Sequence, residues 1–329
     1  MPADERKIRT LLLYQDFRPG IGSFYQTHLR RLQGAGYAVE GFCITVDPPA
    51  GRFSYPELDK LWRRGNRRLM QLYAVLEKKA SEVDVIVLYH GANLHPEFLE
   101  RLRTFNVYMC FDDPESSDYI SKPVAKHFDA CFVANIASLD QYRSWGCQNV
   151  FFRPFGFFAS HVDLRLGPEQ IRSNERDIGA CIFCEREAPW RRERLAFLDQ
   201  HVPELYGRGR GWPLGYVSDK EVLEAYRRAR IGINLHNSTG PINFRTYTLP
   251  ANGLMQICDN KYFLGQIFDL GREVIGYSEI EEVPDLVQFY LANDEARIRI
   301  ATAGYERVHH DYNEVSVWQR QMRQIAGLL

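Results

Sequence analysis

Residues 230–258 read RIGINLHNSTGPINFRTYTLPANGLMQIC. Two apolar runs, RIGINL at 230–235 and LMQIC at 254–258, frame a glycine–proline loop and a helical segment expected over 243–252. A short apolar run bounded by turn residues reads as a buried strand. Strand, helix and strand in succession predict two parallel strands, because only a crossover returns the chain to the same edge.

The same alternation runs outward in both directions. Upstream, strands are expected at 8–14, 37–44, 83–89, 106–111, 129–134 and 149–155, with helices at about 23–34, 57–81 and 96–104. Beyond Gly167, strands are expected at 177–183, 230–235, 254–258 and 273–276. Helices are expected there at 190–201, 219–229, 243–252, 281–292, 294–309 and 313–327. Ser218-Asp219-Lys220-Glu221 has the pattern of a capping box and fixes one helix start. Near-continuous apolar strands point to parallel sheets covered on both faces. The fold class is therefore α/β, two Rossmann-like doubly wound domains facing a cleft. Proline and glycine interrupt the pattern in Arg153–Gly167, so the domains are expected at 1–155 and 156–312, with helix 313–329 returning to the first.

The composition agrees with this size. The chain has 329 residues, 45% hydrophobic and 25% charged, which suits two domains of about 150 residues. Lys plus Arg is 41 and Asp plus Glu is 42, a formal charge of −1. A dedicated nucleic-acid binder carries a basic excess, so no nucleic-acid partner is expected. No apolar run reaches the roughly 18 residues of a membrane span, and the charged start is unlike a secretory signal. A cytoplasmic protein is expected. The seven cysteines are odd in number and mostly sit in apolar runs, where a thiol behaves as a small hydrophobe. Cys181 and Cys184 form a CxxC without a second ligand pair, so no metal site is expected.

In doubly wound sheets ligands bind beyond the carboxyl ends of strands. The first such turn carries Asp16, Arg18, Gly20, Gly22 and Ser23. Its glycines allow close approach of a ligand, but the dinucleotide fingerprint is incomplete and a nicotinamide cofactor is not expected. Asp16 reads either as a base or as a solvated turn residue. His90 ends the strand VDVIVLY, where an imidazole can bond a hydroxyl or move a proton, or rest as a satisfied histidine. Asp112 and Asp113 read as a cap or an acceptor contact ahead of a cation site on a diphosphate.

The richest turn is 233–253. Asn243 sits where a helix N-cap is expected, which would turn the amides of Phe244, Arg245 and Thr246 outward. A helix N-terminus beside a guanidinium favours a diphosphate. Arg186 or Arg192, beyond the strand ending at Phe183, is a further phosphate candidate.

Four pieces in series carry a family resemblance: GYVSDKEVLEAYRRARIGINLH, NFRTYTLPANGLMQICDN, IFDLGREVIGYSEIEEVPDLVQFYL and RIRIATAGYERVHHDY. Together they resemble the donor half of GT-B glycosyltransferases, closest to the CgeB-like spore-maturation group related to glycosyltransferase family 4. FDDPESSD and FDACFVANIASLDQYRSWGCQNVFFRPFG extend the likeness into the first half more faintly. The resemblance implies a nucleotide-diphosphate sugar held by the second domain as substrate; no other cofactor and no metal are expected. It implies an acceptor held by the first domain, a small molecule, glycan or protein. The expected donor residues are Gly22, Arg186, Tyr216, His236, Asn237, Asn243, Phe244, Arg245, Thr246 and Thr248. The expected catalytic residues are Asp16, His90 and Asp113. One departure stands out: family 4 carries a spaced carboxylate pair, and the matching positions here are Gly240 and Thr248. A non-catalytic binder and a nucleotide-sugar epimerase are the alternatives to a glycosyltransferase.

Overall fold

The computed structural model describes residues 4–16, 21–46, 54–89, 91, 93–173, 175–186, 189–236, 240–259 and 261–329. The chain divides into two compact units, Met1–Pro154 with Glu314–Leu329, and Phe155–Asn313.

The first unit holds a six-stranded sheet. Its strands are β1 (Thr10–Tyr14), β2 (Val39–Cys43), β3 (Val85–Tyr89), β4 (Phe105–Cys110), β5 (Ala130–Val133) and β6 (Val150–Phe152). They lie in the order β2-β1-β3-β4-β5-β6, and every neighbouring pair is parallel. Side chains alternate between the faces. Leu11, Leu13, Ile86 and Leu88 enter one core. Leu12, Val85 and Val87 enter the other, where the last helix, Glu314–Ala326, contributes Trp318, Met322 and Ile325. Burying each such side chain stabilises the fold by about 1.5–3 kcal/mol.

The second unit holds β7 (Ile178–Phe183), β8 (Tyr206–Arg208), β9 (Ala229–Asn234), β10 (Met255–Cys258) and β11 (Ile275–Gly276). Their order is β11-β10-β9-β7-β8, again parallel throughout. In each sheet the winding reverses direction once. The reversal lies between β1 and β3 in the first unit and between β7 and β9 in the second. A crevice opens at such a point because the two crossovers leave in opposite directions. This is the α/β, two-sheet fold read from the alternation.

Several expected elements differ in detail. The helix expected over 57–81 is two helices, Tyr55–Arg63 and Arg67–Ala80. Gly65 sits between them at φ +58°, and the Asn66 side chain accepts from the amides of Arg68 and Leu69 to start the second. The helix expected over 96–104 covers only Pro96–Leu99. β6 stops at Phe152, where Arg153 turns inward and Pro154 has no N–H to donate. β8 escaped the sequence reading because its three residues lie in the glycine-rich run YGRGRGW.

Candidate functional site

Arg245 opens the helix Arg245–Ala251, but its side chain turns back to the sheet. Its Nε donates to Asn234 Oδ1 at 3.1 Å. One terminal nitrogen donates to the carbonyl of Phe183, the last residue of β7, at 3.3 Å. The other donates to the carbonyl of Leu235, just past β9, at 3.1 Å. The guanidinium therefore spans the strand ends at the reversal point of the sheet. Among the described residues no carboxylate lies within ion-pair distance of it.

A buried polar network holds this arrangement. Asn234 is wholly buried, and its amide nitrogen lies 3.2–3.3 Å from Asn243 Oδ1, Thr246 Oγ1 and Gln256 Oε1. Asn243 returns a bond to Asn234 Oδ1 at 3.1 Å, and Gln256 donates to the carbonyl of Thr246. Satisfied networks of this kind fix one geometry, since breaking any member strands buried polar atoms.

The same contacts engage one of the three amides expected to face outward, that of Thr246. Asn243 does accept from the amide of Thr246, at 3.1 Å, so it caps the turn. The helix itself begins at Arg245 and has 7 residues. The Thr246 amide is thus engaged internally, and the positive charge at this edge comes from the guanidinium. Phe244 packs against Phe155 and Phe158, with ring centroids at 4.8 and 6.0 Å. Thr248 is buried, and with Phe244, His161, Asp219, Val222 and Tyr226 it borders a cavity of about 140 Å³.

Arg186 does not stand free for a phosphate. Its guanidinium pairs with Asp199 at 2.7 Å and lies 5.0 Å from the Trp212 ring centroid. Trp212 donates in turn to the carbonyl of Cys184 at 2.8 Å. Arg186 therefore braces the β7–β8 edge. Arg191 is the cation that sequence reasoning missed. It is buried and donates to the carbonyl of Glu185. Burial pulls its pKa down, the Cys184 thiol opposes that, and nearby Arg245 adds to it. Two guanidinium groups are thus gathered where β7 ends. The run WRRER at 190–194 carries the signal, and of its arginines only Arg192 was singled out as a phosphate candidate.

Tyr216 is 80% exposed on the loop after β8. Arg208 holds the loop through the carbonyls of Gly215 and Tyr216, at 3.4 and 3.1 Å. Gly209 stands at φ +131°, and a Cβ there would meet the Cys184 carbonyl oxygen at 2.3 Å. Only glycine fits at that position.

His236 is 2% exposed. Its Nδ1 is hydrogen-bonded to Asp259 Oδ1, and its amide donates to Asp259 Oδ2 at 3.0 Å. Cys258, wholly buried at the end of β10, brings its sulfur 3.9 Å from the same Asp259 Oδ1. Sequence reasoning named His236 but not the Asp259 carboxylate that meets it, just past the neighbouring strand β10, nor the Cys258 sulfur beside that carboxylate. Cys181 and Cys184, the CxxC pair, are both buried free thiols.

In the first unit Asp16 lies two residues beyond β1, exposed, its amide donating to Thr45 Oγ1 at 2.7 Å. Gly22 falls in the first turn of the helix Ile21–Gly34. Asp113 is buried, and its carboxylate accepts from Ser121 at 2.8–2.9 Å and from the Tyr142 hydroxyl. Burial pushes its pKa up. Asp113 is an internal acceptor that ties two segments together, which corrects its expected role as a base. His90 and Asn237 lie outside the described residues.

Residues 187–325 match the model of a family described as glycosyl transferase-like. No curated protein matches the chain. Solved structures with the same fold include HepE from Anabaena in complex with UDP and glucose, at 14% identity and a TM-score of 0.63, covering 97% of this chain and 100% of that one. Sucrose-phosphate synthase from Thermosynechococcus elongatus aligns at 12% identity and 0.65, covering 97% and 98%. A glycosyltransferase from Rickettsia africae aligns at 11% and 0.65, covering 98% of each chain. The two-sheet α/β architecture is thus that of GT-B glycosyltransferases. No helix among the described residues is long and apolar enough to cross a membrane.

Proposed function

We propose that this chain is a glycosyltransferase, moving a sugar from a nucleotide-diphosphate donor to an acceptor hydroxyl. The observation that carries the reading is Arg245. It is a guanidinium fixed by three hydrogen bonds at the reversal point of a parallel sheet, with no carboxylate in ion-pair distance among the described residues. Such a group attracts a diphosphate, and Arg191 nearby adds to the attraction. The family match covers this segment, and HepE was solved with UDP and with UDP-glucose.

In the proposed reaction the acceptor oxygen attacks the anomeric carbon and the bond to the diphosphate oxygen breaks. Negative charge then grows on the leaving diphosphate. Arg245 opposes it from a fixed position and needs no reorganisation, which is where electrostatic catalysis gains most. We assign this role to the guanidinium and not to a divalent cation. For an inverting transfer Asp16 takes the acceptor proton. The cavity beside Thr248 and Phe244 receives the nucleoside end. Its lining offers the rings of His161, Tyr226 and Phe244, the hydroxyls of Ser160 and Thr248, and the carboxylate of Asp219.

One observation favours a second reading. Gly240 and Thr248 supply no carboxylate, which suits a protein that binds a nucleotide sugar without turning it over. The discriminating experiment incubates the chain with UDP-glucose and a panel of sugar, phenolic and peptide acceptors, and follows the anomeric proton by NMR. A new anomeric signal that needs an acceptor supports transfer. Binding with no change under any acceptor supports the second reading. A rearranged donor formed without acceptor overturns both.

A further inference from the structure

We infer that His236, Cys258 and Asp259 form a site for a borderline-soft transition ion of the zinc or cobalt(II) type, at the carboxyl ends of β9 and β10. One ligand atom from each residue lies within 4.8 Å of the others. Adjacent residues of a strand normally point to opposite faces. Cys258 and Asp259 converge because Asp259 lies just past the end of β10, where its amide donates to the carbonyl of Asn234 at 3.3 Å. His236 lies two residues past the end of the neighbouring parallel strand.

Thiol, imidazole and carboxylate together are the pieces of a soft-ion site. Asp259 Oδ1 faces both the His236 ring and the Cys258 sulfur, the latter at 3.9 Å. Among the described residues no lysine or arginine lies within ion-pair distance of Asp259. Among the described residues the carboxylate meets the imidazole, the His236 amide and the Cys258 thiol. The second ring nitrogen of His236, Nε2, is buried and has no hydrogen-bond partner among the described residues. A His–Asp pair alone is an ordinary orienting contact. A thiol turned to the same oxygen is not explained by it.

The donor set selects the ion. Thiolate, imidazole and carboxylate together suit zinc or cobalt(II) at four-coordination, with a water or a ligand atom as the fourth. Magnesium and calcium prefer oxygen ligands throughout. Binding releases the thiol proton of Cys258. Burial, followed by the charge of Asp259, holds that proton in place without metal. The ion would tie two strand ends together, and it does so whether or not the chain transfers sugar. The charge on a diphosphate is left to Arg245.

The test uses the full chain, free of any histidine tag, stripped with chelator and titrated with cobalt(II) and then zinc. A thiolate-to-cobalt charge-transfer band in the near ultraviolet, with tetrahedral visible bands that zinc erases, is the expected result. Cys258→Ser should remove the charge-transfer band, and His236→Ala and Asp259→Asn should weaken cobalt binding at least tenfold. Cys181→Ala and Cys184→Ala should leave the spectrum unchanged. If the Cys258 variant does not fold, X-ray absorption of the wild-type cobalt protein should report one sulfur and one imidazole neighbour. No charge-transfer band, a band that survives Cys258→Ser in folded protein, or an all-oxygen and nitrogen shell by absorption overturns the site.

Discussion

Arg245 and Asn234 are joined by a hydrogen bond of 3.1 Å from Nε to Oδ1. Asn234 ends β9, and Arg245 begins the helix that follows the loop. The bond fixes the guanidinium at the strand ends before any ligand arrives. Pre-organisation of this kind separates a binding arginine from a solvated one.

Removing the acceptor should therefore loosen the arginine and the core together. Asn234→Ala strands Asn243, Thr246 and Gln256 in a buried network. A loss of about 1–3 kcal/mol is expected, read as a lower midpoint in urea unfolding. Arg245→Lys should cost less stability but lose the planar fork, with donor binding about 10- to 100-fold weaker, the worth of a charged hydrogen bond.

Asp16→Asn tests the proposed base. General-base assistance contributes about 10²- to 10⁴-fold, so turnover should fall by that order while donor affinity persists. Full turnover in the variant would remove Asp16 from the role.

Stability of the first unit should depend on pH through His28. The ring is buried against Glu314, with Nδ1 2.5 Å from Oε2. Burial lowers its pKa from 6.5, outweighing the bond to Glu314. Below about 6.5 the unfolded chain takes up a proton that the folded chain refuses. Stability should then fall as pH drops from 6.5 toward the lowered folded value, at no more than about 1.4 kcal/mol per pH unit. Urea midpoints of the wild type and His28→Gln between these limits measure it. A variant that keeps the full slope would assign the dependence to other groups.

Gly209→Ala should destabilise the loop after β8, because the new Cβ meets the Cys184 carbonyl and φ is +131°. Strain of this kind costs about 1–3 kcal/mol. Thermal unfolding reads it, and an unchanged midpoint would mean that the loop can re-form elsewhere.

The sheets were legible because strands such as LLLY, VIVLY and VYMC are short apolar runs rich in β-branched and aromatic residues and recur between helical segments. β8 was not, since strand pairing decides three residues that local sequence marks as a turn. Arg245 and Asn243 stood out in the turn they occupy, while the contacts that hold them are tertiary. Arg186 was read by position alone, and its pairing with Asp199 and Trp212 is a tertiary fact. The same holds for Asp113, whose partners Ser121 and Tyr142 lie on separate turns of the chain. The convergence of His236 with Cys258 and Asp259 depends on strand register, which periodicity does not report.

The central claim is that Arg245 holds the diphosphate of a nucleotide. The most direct measurement is a thermal-shift series of wild type and Arg245→Ala against UDP, GDP, ADP and their glucose conjugates. At 100 times its dissociation constant a ligand stabilises the folded state by about 2.7 kcal/mol. The account predicts a shift selective for one base in the wild type and its loss in a folded Arg245→Ala protein. No shift with any nucleotide, or the same shift in both proteins, would contradict it.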